Sequence, residues 1–154
     1  MEMDYTVLCY LKKDNQYLFM LRNKEKNDLN EGKWIGIGGH LEPGESKEEA
    51  LIREVKEETG LTIKTYNYRG EILFINNDYQ EIMYIFTSDD FSGELIECDE
   101  GELSWIDKDK ILDLNLWEGD RYFLKPLLDS NKGIKMTMRY KDKQLVEVLG
   151  DIDL

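Results

Sequence analysis

The sequence predicts a mixed α+β fold built as a single domain over residues 1–154. Three observations predict it: short apolar runs separated by turn residues, one segment with clear helix start and stop signals, and no regular alternation of strand and helix. At 154 residues a single domain buries a substantial core. The composition, 41% hydrophobic and 34% charged, is that of a globular protein.

Two apolar runs near the start of the chain, residues 5–11 and 17–21, are the first predicted strands. Asp14 and Asn15 lie between them and are typical turn residues, so the two strands are expected to pair as a hairpin. The polar residues 22–33 are expected to form a long loop, which leads into a glycine-rich run, WIGIGGHLEPGE.

The segment after the glycine-rich run has the clearest helix signals in the chain. Ser46 and Glu49 have the spacing of a capping box, and Gly60 lies where a helix normally ends in a left-handed residue. These signals predict a helix over residues 47–59. Its core face is expected to consist of Leu51, Ile52 and Val55.

The rest of the chain repeats short strand-like and helix-like patterns. Strands are predicted over residues 70–76, 81–87 and 102–106, a short helix over 108–113, a longer helix over 119–129 interrupted near Pro126, and a closing hairpin of strands 134–140 and 143–149. Helices and strands are therefore interspersed without a repeating strand–helix–strand unit.

The net charge of the chain argues against some classes of binding partner. The formal net charge is −13 and no stripe of Lys and Arg offsets it, which argues against nucleic-acid polymers and anionic membranes. A small anionic ligand stays compatible with this charge if metal cations mediate the contact.

No apolar run approaches the roughly 20 residues that span a bilayer, and the N-terminus lacks the basic region of a secretory signal, so a cytoplasmic location is expected. Cys9 and Cys98 are expected to be reduced packing residues.

The predicted helix concentrates acidic residues on one side. Glu54, Glu57 and Glu58 stand at i, i+3 and i+4, within roughly one 100° sector. Like charges so close destabilise a helix unless something binds them. Carboxylate oxygens suit Mg²⁺, Mn²⁺ or Ca²⁺, the upstream glycines can turn a carbonyl toward the same point, and Arg53 can orient one carboxylate. The alternative is a solvated acidic face, which the glycines and Arg53 make less favoured.

Part of this region matches a family pattern. Gly39, Glu45 and residues 53–61 have the spacing G-x5-E-x7-R-E-U-x-E-E-x-G-U, where U is a bulky aliphatic residue. This stretch resembles the Nudix box at every specified position. Further stretches are similar to MutT-type Nudix hydrolases of oxidised purine nucleoside triphosphates: residues 33–39, 98–100 and 116–120.

The resemblance implies an α/β/α sandwich around a mixed sheet, with the box forming a loop–helix–loop. It also implies hydrolysis of a nucleoside diphosphate linked to another group, with Mg²⁺ as cofactor and Mn²⁺ as a substitute. Its metal ligands, carried onto this chain, are the Gly39 carbonyl, Glu54, Glu57 and Glu58, and Glu100 resembles an additional carboxylate that completes the site. These ligands would bind the metal ion, and the metal ion would bind the phosphates of the substrate. An acidic chain can in this way bind an anionic substrate.

The resemblance also implies catalytic roles. Arg53 positions a carboxylate, Glu45 braces the loop, and the catalytic set is Arg53, Glu54, Glu57 and Glu58. A bound divalent cation lowers the pKa of water, and one glutamate then accepts the proton. Glu54 and Glu57 are the two candidates for this general base.

Recognition of a base requires flat apolar walls and a few polar groups. The candidate walls are Trp34, Phe74 and Trp117, the candidate edge reader is Asp120, and Thr6, Arg22 and Gly38 match lining positions in similar enzymes. His40 is either a surface or structural residue or a phosphate contact. Two positions depart from relatives that read 8-oxoguanine: Ile35 stands in place of Asn, and Gly119 in place of a second Asp.

The leading hypothesis is a Mg²⁺-dependent pyrophosphohydrolase that converts 8-oxo-dGTP to the monophosphate and pyrophosphate, acting as a monomer or homodimer on a small nucleotide. A second hypothesis keeps the site and changes the substrate to ADP-ribose, another nucleotide sugar or a dinucleoside polyphosphate. A third is a non-hydrolytic Nudix ligand sensor, against which the full set of box carboxylates argues. A calcium-binding structural domain is a fourth, but the sequence has no EF-hand loop pattern.

Overall fold

The computed structural model describes residues 3–24 and 26–152. The described chain contains nine strands, two α-helices and one 3₁₀ helix. They are β1 (Met3–Lys13), β2 (Gln16–Leu21), β3 (Trp34–Ile35), β4 (Ile37–His40), α1 (Lys47–Thr59), β5 (Thr62–Asn76), β6 (Tyr79–Ser92), β7 (Glu102–Asp107), the 3₁₀ helix Lys108–Asp113, α2 (Asp120–Asp129), β8 (Ile134–Lys141) and β9 (Gln144–Ile152).

The strands of the described residues form one mixed sheet in the order β3-β2-β1-β6-β5-β8-β9, with β4 also paired to β1 and β7 to β2. The β1–β6 and β5–β8 pairs are parallel, and the remaining pairs are antiparallel. This arrangement confirms the predicted mixed α+β fold. The β1–β2 and β8–β9 hairpins are confirmed as well.

The two faces of the sheet carry separate hydrophobic cores, which makes the molecule the sandwich that the resemblance implied. Along β1, successive residues alternate between them, since side chains of a strand point to opposite faces. Val7 and Cys9 pack in the core that includes Leu51 and Val55 of α1. Tyr10 packs in the core that includes Phe123 and other residues of α2. Each face of the sheet is thus covered by one helix.

The predicted bounds of α1 are confirmed, including the capping box of Ser46 and the left-handed Gly60. Its predicted core face is wrong at one position, because Ile52 is exposed and Ala50 is buried instead. Viewed down the axis of α1, Glu58 projects within roughly 20° of Leu51, since each residue turns the helix by about 100°. The buried side of α1 therefore includes Glu58 and does not include Ile52.

Two further differences concern short elements. The glycine-rich run contains β3 and β4, where the sequence predicts only a loop, because both strands pair with partners distant in sequence. The predicted interruption at Pro126 is wrong, since α2 continues through it. Pro126 lies in the last turn, where the missing N–H costs a single helical hydrogen bond.

The far end of α2 is tied to the sheet by a buried arginine. Arg69 of β5 donates hydrogen bonds to the carbonyl oxygens of Leu127, Ser130 and Lys132 at 3.0, 2.6 and 3.2 Å. The carbonyl of Leu127 is one that a helix end leaves without an intrahelical partner, and the other two belong to the segment that follows α2. Both cysteines are free and buried. None of the described helices has the length and apolarity needed to cross a membrane.

The end of α1 provides a stability prediction. Gly60 has a φ of +81°, and a Cβ there would lie 2.7 Å from the carbonyl oxygen of Glu94. We expect Gly60→Ala to lower the free energy of unfolding by about 2 kcal/mol or more, because left-handed strain and a clash act together. Gly44 has the same φ of +81° with no atom within 4 Å of an added Cβ, so Gly44→Ala should lose only about 1 kcal/mol. Urea unfolding measures both, and equal losses would contradict the clash.

Candidate active site

The three carboxylates predicted on one side of α1 differ widely in exposure. The side chain of Glu57 is 59% exposed and that of Glu54 is 14% exposed, whereas Glu58 as a residue is only 6% exposed. The three carboxylates on this side of α1 therefore range from mostly exposed at Glu57 to buried at Glu58. Burying a carboxylate is costly unless a partner compensates for it, so this side of α1 is not an ordinary solvated face.

Arg53 provides the positive charge at the centre of this cluster. It donates to both carboxylate oxygens of Glu45 at 2.7 and 2.8 Å and to the carbonyl oxygen of His40 at 3.1 Å. It also donates to Glu54 at 2.7 Å and to Glu57 at 3.2 Å. The hydrogen bonds from Arg53 hold the pKa of Glu45 at about 2. One guanidinium therefore joins the glycine-rich loop to α1.

Glu58 and Glu100 form the buried part of the cluster. Glu58 accepts a hydrogen bond from the backbone N–H of Gly38 at 3.1 Å. The charge of the neighbouring Glu100 carboxylate disfavours a second negative charge on Glu58. Burial, followed by the neighbouring Glu100, raises the pKa of Glu58 to about 10. Burial also raises the pKa of Glu54.

Gly39 brings the main chain of β4 against this cluster. A Cβ at this position would lie 2.5 Å from a carboxylate oxygen of Glu54, which is closer than packed atoms approach. Only glycine leaves the carboxylate of Glu54 in place. The loop backbone and the helix carboxylates are thus brought together as the sequence predicts.

The chemistry of the cluster fits a divalent cation. Its donors are carboxylates and backbone carbonyls, the hard oxygen ligands that Mg²⁺ and Mn²⁺ prefer. The raised pKa of the buried Glu58, beside Glu54 and Glu100, is consistent with a cluster that lacks positive charge beyond Arg53. In the part of the chain that the structure describes, no three of these side chains already form a complete ligand set. The side chain of Glu57 instead accepts a hydrogen bond from Arg53.

A cavity of about 590 Å³ opens beside the carboxylate cluster, within the ~300–1,000 Å³ typical of small-ligand sites. Gly39, Glu54, Glu58 and Glu100 line one end of it. Seven of the residues predicted to bind substrate also line it, namely Thr6, Arg22, Gly38, His40, Phe74, Trp117 and Asp120. Trp34 and Glu57 lie outside this lining, and Trp34 packs against the core on the α2 face.

The other end of the cavity is aromatic. The ring of Phe74 meets that of Trp117 nearly edge to face, with centroids 5.3 Å apart, and Tyr140 packs against both. Trp117 donates its indole N–H to the side-chain oxygen of Asn30 at 2.8 Å. Such rigid aromatic packing provides the apolar wall that a planar ligand needs.

Asp120 lies at the start of α2 and is buried beside this wall. Burial raises its pKa to about 7, against the lowering effects of Lys33 and Arg121. The hydroxyl of Tyr140 accepts the backbone N–H of Gly119 at 2.6 Å and so fixes the turn before Asp120. Near neutral pH this carboxyl group can therefore either donate or accept a hydrogen bond.

The remaining predicted residues make contacts of several kinds. Arg22 donates to Asp28 at 2.7 Å and lies 3.7 Å from Glu100. His40 is exposed, with its ring nitrogen 3.4 Å from Asp4. Thr6 donates to Glu81 at 2.6 Å. The structure thus gathers the predicted residues around one cavity, apart from Trp34 and Glu57.

Several cavity residues were not predicted from the sequence: Asp28, Leu29, Asn30, Ile35, Tyr79, Glu81 and Met83. Asp28, Leu29 and Asn30 belong to the long polar loop, which has no periodic pattern to reveal which side chains turn inward. Glu81 reaches the cavity through the parallel pairing of β1 with β6, in which Asp4 lies opposite Glu81. No local signal in the sequence encodes such a pairing.

Comparisons with known proteins show the family of the chain. The model of the NUDIX domain matches residues 3–127. A relative from Danio rerio, an oxidized purine nucleoside triphosphate hydrolase, is 36% identical over 115 residues, covering 73% of this chain and 74% of its own. An ADP-ribose pyrophosphatase from Methanocaldococcus jannaschii is 34% identical over 134 residues, covering 86% and 71%.

A solved structure is also close in overall shape. The crystal structure of a mutator MutT protein from Bacillus halodurans superposes with a TM-score of 0.87 at 28% identity, covering 96% of this chain and 97% of the other. The similarity therefore extends over nearly the whole chain, far beyond the loop–helix–loop.

The burial of Asp120 predicts a pH-dependent stability. Its folded pKa of about 7 is above its ordinary value of 3.8, so its contribution is fully present at low pH and is lost as pH rises through about 7. We expect the difference in unfolding free energy between wild type and Asp120→Asn to fall between pH 5 and pH 7, by up to about 1.4 kcal/mol per pH unit. Urea unfolding in EDTA measures it, and a difference that does not change with pH would contradict the burial.

Proposed function

The chain belongs to the Nudix hydrolase family and is MutT-like, and on this basis we propose that it hydrolyses an oxidised purine nucleoside triphosphate, 8-oxo-dGTP above all, to the monophosphate and pyrophosphate. The observation that carries the proposal is a single cavity with a cluster of carboxylates at one end and an aromatic wall with a buried carboxyl at the other. The first end suits a cation-bound phosphate chain, and the second suits a planar base.

The proposed cofactor is Mg²⁺, which Mn²⁺ can replace. The residues that would hold it are the Gly39 carbonyl, Glu54, Glu57 and Glu58, with Glu100 as a further ligand. When bound, the cation neutralises charge on the phosphate oxygens and lowers the pKa of water. Its positive charge would favour the ionised form of Glu58, whose pKa burial raises.

Arg53 sets the geometry of the proposed catalytic groups. Its hydrogen bonds to Glu54 and Glu57 limit how these carboxylates can turn. The proposed general base is one of these two glutamates, which accepts the proton of the attacking water. Glu54 lines the cavity and is mostly buried, whereas Glu57 is mostly exposed, and this contrast favours Glu54. Glu45 supports the base indirectly by holding the other side of Arg53.

The proposed base reader is Asp120 alone. Gly119 stands where some relatives that read 8-oxoguanine have a second Asp, and a Cβ there would lie 2.5 Å from the sulfur of Met138 and 2.7 Å from the hydroxyl of Tyr140. A side chain at this position would therefore require Met138 and Tyr140 to shift. Ile35 adds an apolar contact to the cavity in place of an amide. Asp120 would donate a hydrogen bond to the edge of the base below about pH 7, where its carboxyl group is protonated. Above about pH 7 it would accept a hydrogen bond instead.

A second candidate substrate is ADP-ribose, which the similarity to an ADP-ribose pyrophosphatase over most of the chain favours. Both substrates place a diphosphate at the carboxylate end, so the cluster alone does not separate them. The test is a panel with Mg²⁺ that compares 8-oxo-dGTP, the ordinary dNTPs, ADP-ribose and diadenosine polyphosphates. A kcat/KM for 8-oxo-dGTP above all others supports the proposal. A higher value for ADP-ribose replaces it with the second candidate.

Removing one buried charge tests the cation site. We expect Glu58→Gln to lower kcat at saturating Mg²⁺ by about 100-fold or more, because a charged ligand is lost. The melting temperature in EDTA should hold or rise, since the variant no longer buries an ionisable carboxyl. The gain in melting temperature that Mg²⁺ gives the wild type should shrink. The matched control is Glu48→Gln, a half-exposed carboxylate on the first turn of α1, which should change none of these. Near-normal kcat in Glu58→Gln would exclude the site.

Asp120→Ala tests the base end separately. We expect kcat/KM for 8-oxo-dGTP to fall by ~10-fold or more, the scale of one lost hydrogen bond to a charged or strongly polar group. Hydrolysis of a poor substrate such as dTTP should change much less, because the phosphate end is untouched. Steady-state kinetics with both nucleotides measures the two losses. Equal losses would show that Asp120 supports the site in general and does not read the base.

A further inference from the structure

The cavity holds another carboxylate, Glu81 of β6, that the proposed reaction does not use. One of its oxygens accepts a hydrogen bond from the hydroxyl of Thr6 at 2.6 Å. The other accepts from the hydroxyl of Tyr79, also at 2.6 Å. Both donors line the cavity with it. Each oxygen of the carboxylate is therefore fixed in position by one neighbour, and the group as a whole has a defined orientation.

The strand pairing places Glu81 between the two ends of the cavity. Glu81 lies opposite Phe74 of the aromatic wall in the β5–β6 pair. Its other neighbour, Thr6, lies opposite His40 in the β1–β4 pair, next to Gly39 at the phosphate end. A nucleotide with its base on Phe74 and its phosphates near Gly39 has its sugar at this intermediate position.

The chemistry of a carboxylate restricts what it can bind there. An ionised carboxylate only accepts hydrogen bonds, and it has about four lone-pair sites, of which Thr6 and Tyr79 occupy two. Phosphate oxygens cannot donate to it and are repelled by it. In the middle of a nucleotide the donors are the hydroxyl groups of the pentose. A carboxylate in a cavity that binds an anion lowers the affinity for that anion, unless a group of the ligand donates a hydrogen bond to the carboxylate.

We propose that Glu81, oriented by Thr6 and Tyr79, accepts a hydrogen bond from a pentose hydroxyl and makes the sugar a determinant of specificity. The inference rests on the proposed nucleotide hydrolase function and adds a residue and a substrate group to it. Asp120 reads the base, the carboxylate cluster holds the phosphates through a cation, and Glu81 reads the sugar between them.

The test removes the Glu81 side chain and the sugar hydroxyl, first singly and then together, and compares the losses in kcat/KM. Wild type and Glu81→Ala are compared on three triphosphates of one base: the ribonucleotide, the 2′-deoxynucleotide and the 2′,3′-dideoxynucleotide. In the wild type, removing the hydroxyl that Glu81 binds should lower kcat/KM by ~10-fold or more, as expected for a hydrogen bond to a charged group. In Glu81→Ala the same removal should cost less than ~3-fold, because the partner is already gone.

Two further variants keep the test specific. Tyr79→Phe removes one hydrogen bond to Glu81 and keeps its charge, so the effect of the hydroxyl should shrink only in part. Glu71→Gln neutralises a carboxylate on β5 that lines a different surface depression and should leave the wild-type pattern unchanged. These variants separate loss of the sugar contact from a general loss of charge or of folding.

The outcomes are distinguishable. Equal losses along the substrate series in wild type and Glu81→Ala would overturn the proposal, and so would a coupling of Glu81 to changes in the base. If the wild type hydrolyses none of the three nucleotides, nor any nucleotide of the substrate panel, the proposed function itself fails and this inference fails with it. A normal substrate panel combined with uncoupled Glu81 overturns the sugar contact alone.

Discussion

The guanidinium of Arg53 is the interaction on which the rest of the site depends. It contacts both the glycine-rich loop, through Glu45 and the His40 carbonyl, and the acidic side of α1, through Glu54 and Glu57. Without this charge the carboxylates would repel one another across the loop–helix junction. Because a planar guanidinium donates in fixed directions, it also imposes an arrangement that a lysine could not.

The local part of this architecture is readable in the sequence. The capping box, the left-handed Gly60 and the spacing of the glutamates are signals within one helix, and α1 begins and ends where they predict. The error at Ile52 is instructive. The sequence places the apolar residues on one side and the acidic residues on the other, yet Glu58 is buried beside Leu51. A helix that buries a carboxylate on its core side departs from the simple amphipathic rule.

The rest of the site depends on contacts between distant segments. The parallel pairing of β1 with β6 brings Glu81 to Thr6, and the loop that contains Asn30 reaches Trp117 across a long stretch of chain. Neither has a sequence signature, because register between remote strands is set by the packing of the whole sheet. The aromatic wall was easier to predict since large rings in a half-buried strand and a loop are few. Only the folded chain shows that Phe74 both packs in the core and lines the cavity, whereas Trp34 packs against the same core without lining the cavity.

The alternation of β1 has a consequence for substitutions in this strand. Leu8 and Tyr10 belong to the face that carries α2 and the aromatic wall, while Val7 and Cys9 belong to the face that carries α1. Adjacent positions of this strand therefore support different layers of the molecule, one packing under α2 and the aromatic residues and the other under α1. A substitution at one position is expected to disturb the packing of one layer and leave the other layer largely intact. A directed-evolution library can use the same partition.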